Sequence, residues 1–160
     1  MLRALLVALT LGAAAVGAQD LQPEGLSPID RQYMQQQRDH LDGLARRHLG
    51  EPLRGERSDL AVLQRLLDRG LVAREDTATL QGMGMVLGSL LAADLDLEWV
   101  VHRDNRGRSR ALRIPGTGEL LFPVTMISRR HEVGARVDVE ELYQRAADLV
   151  AEIRHRDSPF

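Results

Sequence analysis

The stretch "ELLFPVTMISRRHEVG", Glu119 to Gly134, runs from an apolar segment into Arg129, Arg130, His131 and Glu132. Two adjacent guanidiniums suit planar, bidentate recognition of a carboxylate or a phosphate. A histidine and a carboxylate directly behind them add groups for proton transfer or metal ligation. A structural role competes with this reading: one arginine can pair with an acid of the following helix, Asp138 or Glu141, since charge beside an apolar run is commonly its solvated edge. If the two side chains point opposite ways, one is tied and the other is free to bind. The sequence leaves open which is which.

Other residues invite chemistry and mostly fail on spacing. His102 meets His131 and Glu132 only if the strands pair in a suitable register, which would make a His-His-Glu metal set. Ser128 lies close to His131 and Glu132, but there is no G-x-S-x-G elbow to expose a nucleophile. His40 and His48 are eight apart, not the i, i+4 pair of a metalloprotease helix. "HRDN", His102 to Asn105, resembles a kinase loop, but its asparagine is adjacent to the aspartate and the chain has no lysine. It is good turn chemistry. "GMGMVLG", Gly82 to Gly88, sits inside a helical pattern and does not follow a strand, so it is no nucleotide loop. Gly84, Gly88 and Ala92 recur every four residues and form a small-residue stripe for close packing. Trp99, the one tryptophan, is expected in the core with an indole N–H that needs a partner.

The elements that must position these groups follow from periodicity. Ser27-Pro28-Ile29-Asp30 opens a helix that runs to His48 and stops at Gly50. Ser58 is expected to cap a shorter helix ended by Gly70. A third helix runs from about Glu75 or Asp76 to about Leu95. The period then changes to two. Glu98–Arg103 and Arg108–Ile114 form a hairpin across "DNRG", and Glu119–Phe122 adds a third strand edged or ended by Pro123. Val124 to Arg130 reads as strand or helix, with a lean to helix or irregular turn. Asp138 caps a last helix with Glu141 in a capping box, and Val139, Leu142, Tyr143, Ala146, Leu149, Val150 and Ile153 keep helical spacing. The expected fold is α+β: N-terminal helices, a small antiparallel β-meander, and a C-terminal helix packed on the sheet.

The first eighteen residues, "MLRALLVALTLGAAAVGA", have the composition of a cleaved signal peptide, with Val16 and Ala18 before a mature start at Gln19. Residues 19–26 are expected to be a mobile leader and 27–157 one domain. The protein is therefore expected in the periplasm or secreted, yet it has no cysteine and uses no disulfides. All 21 basic residues are arginine against 23 acids, and both signs are interspersed. No basic stripe for nucleic acid is present, and five aromatic residues provide no stacking platform.

The pattern "LQGMGMVLGSLLAADLDLEWVVHRDNRGRSRALRIPGTGELLFPVTMISRRHE" resembles the bacterial family of domains of unknown function 3806. Gly84 and Gly88, Trp99, Asp104 and Gly107, Phe122-Pro123, Met126-Ile127 and Arg129-Arg130 carry the resemblance. It implies a small α+β domain and no inherited catalytic residue. The reading on all of this is a non-catalytic binding or interaction module of the cell envelope, with an inhibitor- or immunity-like role as one form of it. Its partner would be an envelope protein or a small ligand, with no cofactor, no metal and no membrane span after signal removal. The binding candidates are Arg129, Arg130, His131, Glu132, Trp99 and His102. The alternative is a small hydrolase or metal-dependent enzyme using His102, His131 and Glu132.

Overall fold

A computed structural model describes residues 22–158 of the chain, so the expected signal peptide over 1–18 and the start of the leader lie outside the described residues. Ser27 opens helix α1, Pro28–Leu49. Its hydroxyl accepts from Asp30 N at 3.1 Å, and Ser27 N donates to the Asp30 carboxylate at 3.1 Å. This reciprocal pair satisfies two otherwise orphaned donors. Gly50 ends the helix at φ 70°, where a residue without Cβ carries no penalty.

Helix α2 spans Asp59–Asp68, but Ser58 does not cap it with its side chain. Asp59 is buried instead, and its carboxylate accepts from Arg54 N and Gly55 N, both at 2.8 Å. Two oxygens satisfy two loop amides, which a single hydroxyl does less well, so the loop "EPLRGER" is tied down from the helix start. Gly70 closes α2 as expected, with Leu71 N donating to Leu66 O and Gly70 N to Leu67 O.

Helix α3, Thr77–Leu95, starts at the Asp76 cap and is buried on nearly every side. It is long and apolar enough to cross a membrane by length and composition, but most of it is buried within the fold. It packs against α1, the segment around Pro123, and the two last helices.

The sheet is antiparallel throughout, in the order β1-β2-β3-β4. Strands β2, Glu98–Asp104, and β3, Gly107–Arg113, form the expected hairpin. Strand β4 is only Leu120–Leu121, paired with Leu112 and Arg113. Strand β1, Glu24–Gly25, pairs with Val101 and Val100. Within the segment expected as a leader, these two residues pair with the sheet and cover an edge of β2.

After β4 the chain turns helical, which settles the ambiguity over 124–130. Pro123–Thr125 is a 3-10 turn, with Pro123 where no N–H is needed. Helix α4 follows, Ser128–Glu132. Helix α5, Val139–Asp157, is capped by Asp138, which accepts from Glu141 N at 2.9 Å. The Glu141 side chain pairs with Arg145. Helix α5 packs chiefly on α2 and α3, and its Arg156 pairs with Glu119 just before β4.

Candidate functional site

The small-residue stripe of α3 decides where the arginine segment sits. A methyl group on Gly84 would collide with the Val124 carbonyl and stand 2.6 Å from Pro123 O. One on Gly88 would lie 2.5 Å from Pro123 Cγ and 2.6 Å from the Trp99 ring. The chain from Pro123 to Val124 thus lies directly on the glycine face, and α4 follows from there. The packing reading of these glycines holds.

A second anchor joins the start of α1 to the hairpin. The buried Asp30 carboxylate accepts from Arg108 at 2.5 Å and from two nitrogens of Arg110 at 2.9 and 3.0 Å. The Ser27 hydroxyl donates to it at 2.7 Å. Hydrogen bonding from Arg108, with further help from Ser27, holds the Asp30 carboxyl well below the usual carboxylate range, although burial opposes this. The Arg110 guanidinium also lies 4.6 Å above the Tyr33 ring.

Between these anchors lies a concavity of about 620 Å³. Arg106, Arg108, Arg110 and Arg129 line it, with His102 and Phe122 at its wall and Gln81 and Met85 of α3 beneath. Asp104 is the one carboxylate in the lining. Its oxygens accept from Arg106 N at 2.8 Å and lie 3.7 Å from His102 Nε2. The His102 ring meets Phe122 edge-on at 5.8 Å, and its Nδ1 is buried without a hydrogen-bond partner among the described residues. The side chains of Arg106 and Arg129 have no ion pair or hydrogen bond among the described residues. Four arginines against Asp104 and Asp30 leave a formal surplus of two positive charges.

The sequence candidates divide. Arg129 and His102 line the concavity. Arg130 turns away and donates to the backbone just before α4, Met126 O, at 2.8 Å. Neither arginine pairs with Asp138 or Glu141, because those acids serve the α5 cap and Arg145. Glu132 accepts from Thr77 at the start of α3, 2.9 Å away, and His131 is half-buried on α4. No group of three histidines or acids that could hold a metal exists among the described residues, so the set His102, His131 and Glu132 is corrected. The reason is local: α4 is helical, and Glu132 leans toward α3 while His102 stays on the hairpin. Ser128 is buried and makes no hydrogen bond to His131 or Glu132 among the described residues. Trp99 is half-buried and lines a second cavity of about 430 Å³. The partner expected for its indole N–H is missing among the described residues.

The arginines of "RGRSR" were missed. Their signal was the period of two: Arg108 and Arg110 project to one face of a strand, and Arg106 precedes them in the turn. Asp30 was read only as a residue of the helix start, and nothing local in the sequence points it at the hairpin.

A family model described as a domain of unknown function, DUF3806, matches residues 59–143. A solved structure from Bacteroides thetaiotaomicron VPI-5482 superimposes with a TM-score of 0.72 at 17% identity, over 78% of this chain and 46% of that one. The chain thus spans about half the length of that protein, and the likeness is one of fold. No curated protein matches the sequence. The matched span contains β2, β3, α4 and all four arginines of the concavity, and it excludes Ser27 and Asp30.

Proposed function

The chain belongs to the DUF3806 family of domains of unknown function, and from that premise we propose that it is a non-catalytic binding module of the cell envelope that captures an anionic group. One observation carries the reading: the Arg129 and Arg106 side chains, neither with an ion pair or hydrogen bond among the described residues, line the same concavity as Arg108 and Arg110. The whole chain has a formal net charge of -2, so this is a local concentration of positive charge on an acidic protein. The volume of about 620 Å³ lies within the range of small-ligand sites. Arg108 and Arg110 are held by Asp30, which fixes their geometry before a ligand arrives and lowers the ordering cost of binding.

The ligand is the carboxylate or phosphate of a small molecule, or an acidic side chain of an envelope protein. The proposed compartment rests on the signal-like pattern of residues 1–18. Calorimetric titration with inorganic phosphate and citrate at low ionic strength tests the site. Binding that weakens at least about tenfold in the Arg106→Ala/Arg129→Ala double variant supports it. Equal binding by wild type and double variant, or no binding of either anion, overturns it. Fractionation of cells expressing the full chain tests the compartment: a periplasmic product beginning at Gln19 is expected.

A further inference from the structure

The arginine concavity and the cavity beside Trp99 share one wall residue, Met85. The face of α3 runs beneath both: Gln81 and Met85 lie under the first, and Met85 and Ser89 under the second. These positions are spaced by four, so they stand in line along the helix over about 12 Å. The two cavities differ in character. The first collects guanidiniums. The second has mostly apolar walls, from Leu26, Met34, Val86, Leu90 and Trp99, although Arg31, Arg38 and Asp59 also belong to its lining. Met85 is itself buried, and methionine is the side chain best able to swing aside, being unbranched and soft.

We infer that the two cavities are halves of one amphipathic site divided by Met85, and that its ligand is an anion carrying an apolar chain, with a carboxylate or phosphate head. This rests on the anion-binding reading of the arginine concavity and specifies the ligand class. The head pairs with Arg129 and Arg106, while the chain passes Met85 and lies along α3 against Trp99. Two small cavities thereby become one elongated site with opposite ends matched to opposite chemistries.

The test compares acetate, decanoate, inorganic phosphate and decyl phosphate, with decylamine as the charge control, all below micelle formation. Affinity is read by calorimetry, and Trp99, the one tryptophan of the chain, reports on its own cavity through fluorescence. Decanoate or decyl phosphate is expected to bind at least tenfold tighter than its short counterpart and to shift Trp99 emission. Decylamine is expected to bind weakly. The better of the two long anions identifies the head group. Ser89 is exposed at the margin of the apolar cavity, so Ser89→Phe is expected to fold, to abolish the gain from chain length, and to leave binding of the short anion unchanged. Short and long anions binding equally well overturns the inference and leaves the anion site standing. A gain shared by decylamine, or one that survives in Ser89→Phe, also overturns it. No binding of any anion removes both readings.

Discussion

Asp30 and Arg108 are separated by 78 residues in sequence and by 2.5 Å in the fold. The carboxylate that helps open α1 is the same one that holds two arginines of the hairpin in place. A single buried group therefore links the first helix, the sheet and the candidate binding concavity.

Replacing Asp30 with asparagine leaves the Arg108 and Arg110 pair without a countercharge and weakens the cap. The two arginines left behind are partly exposed, so a loss of about 1–3 kcal/mol is expected in urea denaturation. The folded carboxyl is held below its ordinary value of 3.8. Its contribution is therefore fully present above that value and is lost as the pH falls below it through the folded pKa. The stability gap between wild type and Asp30→Asn should accordingly be widest near neutral pH and should narrow on acidification below about 4. A gap that is constant from pH 7 to pH 3 would show that the ion pair contributes nothing.

Glycine-to-alanine changes in two helices should have opposite signs. At Gly43 an added methyl meets only the flexible end of Arg47, so Gly43→Ala should stabilise by up to about 1 kcal/mol through helix propensity. At Gly84 the methyl meets backbone carbonyls of Pro123 and Val124. Gly84→Ala should destabilise by about 1–3 kcal/mol despite the same propensity gain. Thermal or chemical denaturation of the two variants side by side decides it, and equal gains would refute the close approach.

The two adjacent arginines should behave differently. Arg129→Ala should weaken binding of phosphate or citrate about tenfold, near 1.4 kcal/mol, with stability unchanged, because Arg129 has no protein partner among the described residues. Arg130→Ala should leave binding unchanged, since its guanidinium serves Met126 O. Titration calorimetry on both variants checks this, and an equal loss at Arg130 would reassign the site.

Tyr143 donates to Asp94 at 2.5 Å while its ring is buried beneath Arg57. Burial, aided by the bond to Asp94, pushes its phenol up to about 12. Tyr143→Phe should cost about 1 kcal/mol. A phenol raised on folding contributes stability below its ordinary value of 10.0 and loses it as the pH climbs toward 12. Ultraviolet titration of wild type against Tyr143→Phe should show the Tyr143 phenol ionising late; ionisation of Tyr143 at its ordinary value of 10.0 would contradict the buried bond.

Local signals were legible where local physics decides. The Ser27, Asp76 and Asp138 starts, the Gly50 and Gly70 stops and the 104–107 turn all follow from side chains acting on backbone groups a few residues away. Ser58 misled because Asp59, one residue on, offers two oxygens to the preceding loop and wins the competition. The two-residue strand β1 was missed because so short a segment carries no alternation to read. Of the four arginines of the site only Arg129 was visible, in the Arg129-Arg130 pair; Arg108 and Arg110 in β3 and Arg106 in the turn before it looked like ordinary surface charge.

By itself the sequence determined the α+β class, the order and type of the main elements, the glycine stripe for packing and the family resemblance. These depend on period and capping, which act over one or two turns. Only the tertiary structure decided which arginine is free, because that depends on where α4 lands after Pro123 packs against Gly84 and Gly88. Only it joined Asp30 to Arg108 and placed Arg106, Arg108 and Arg110 beside Arg129. Charge convergence is a property of distance through space, and residues 23 positions apart in sequence become neighbours only when the hairpin and α4 dock on the same face of α3.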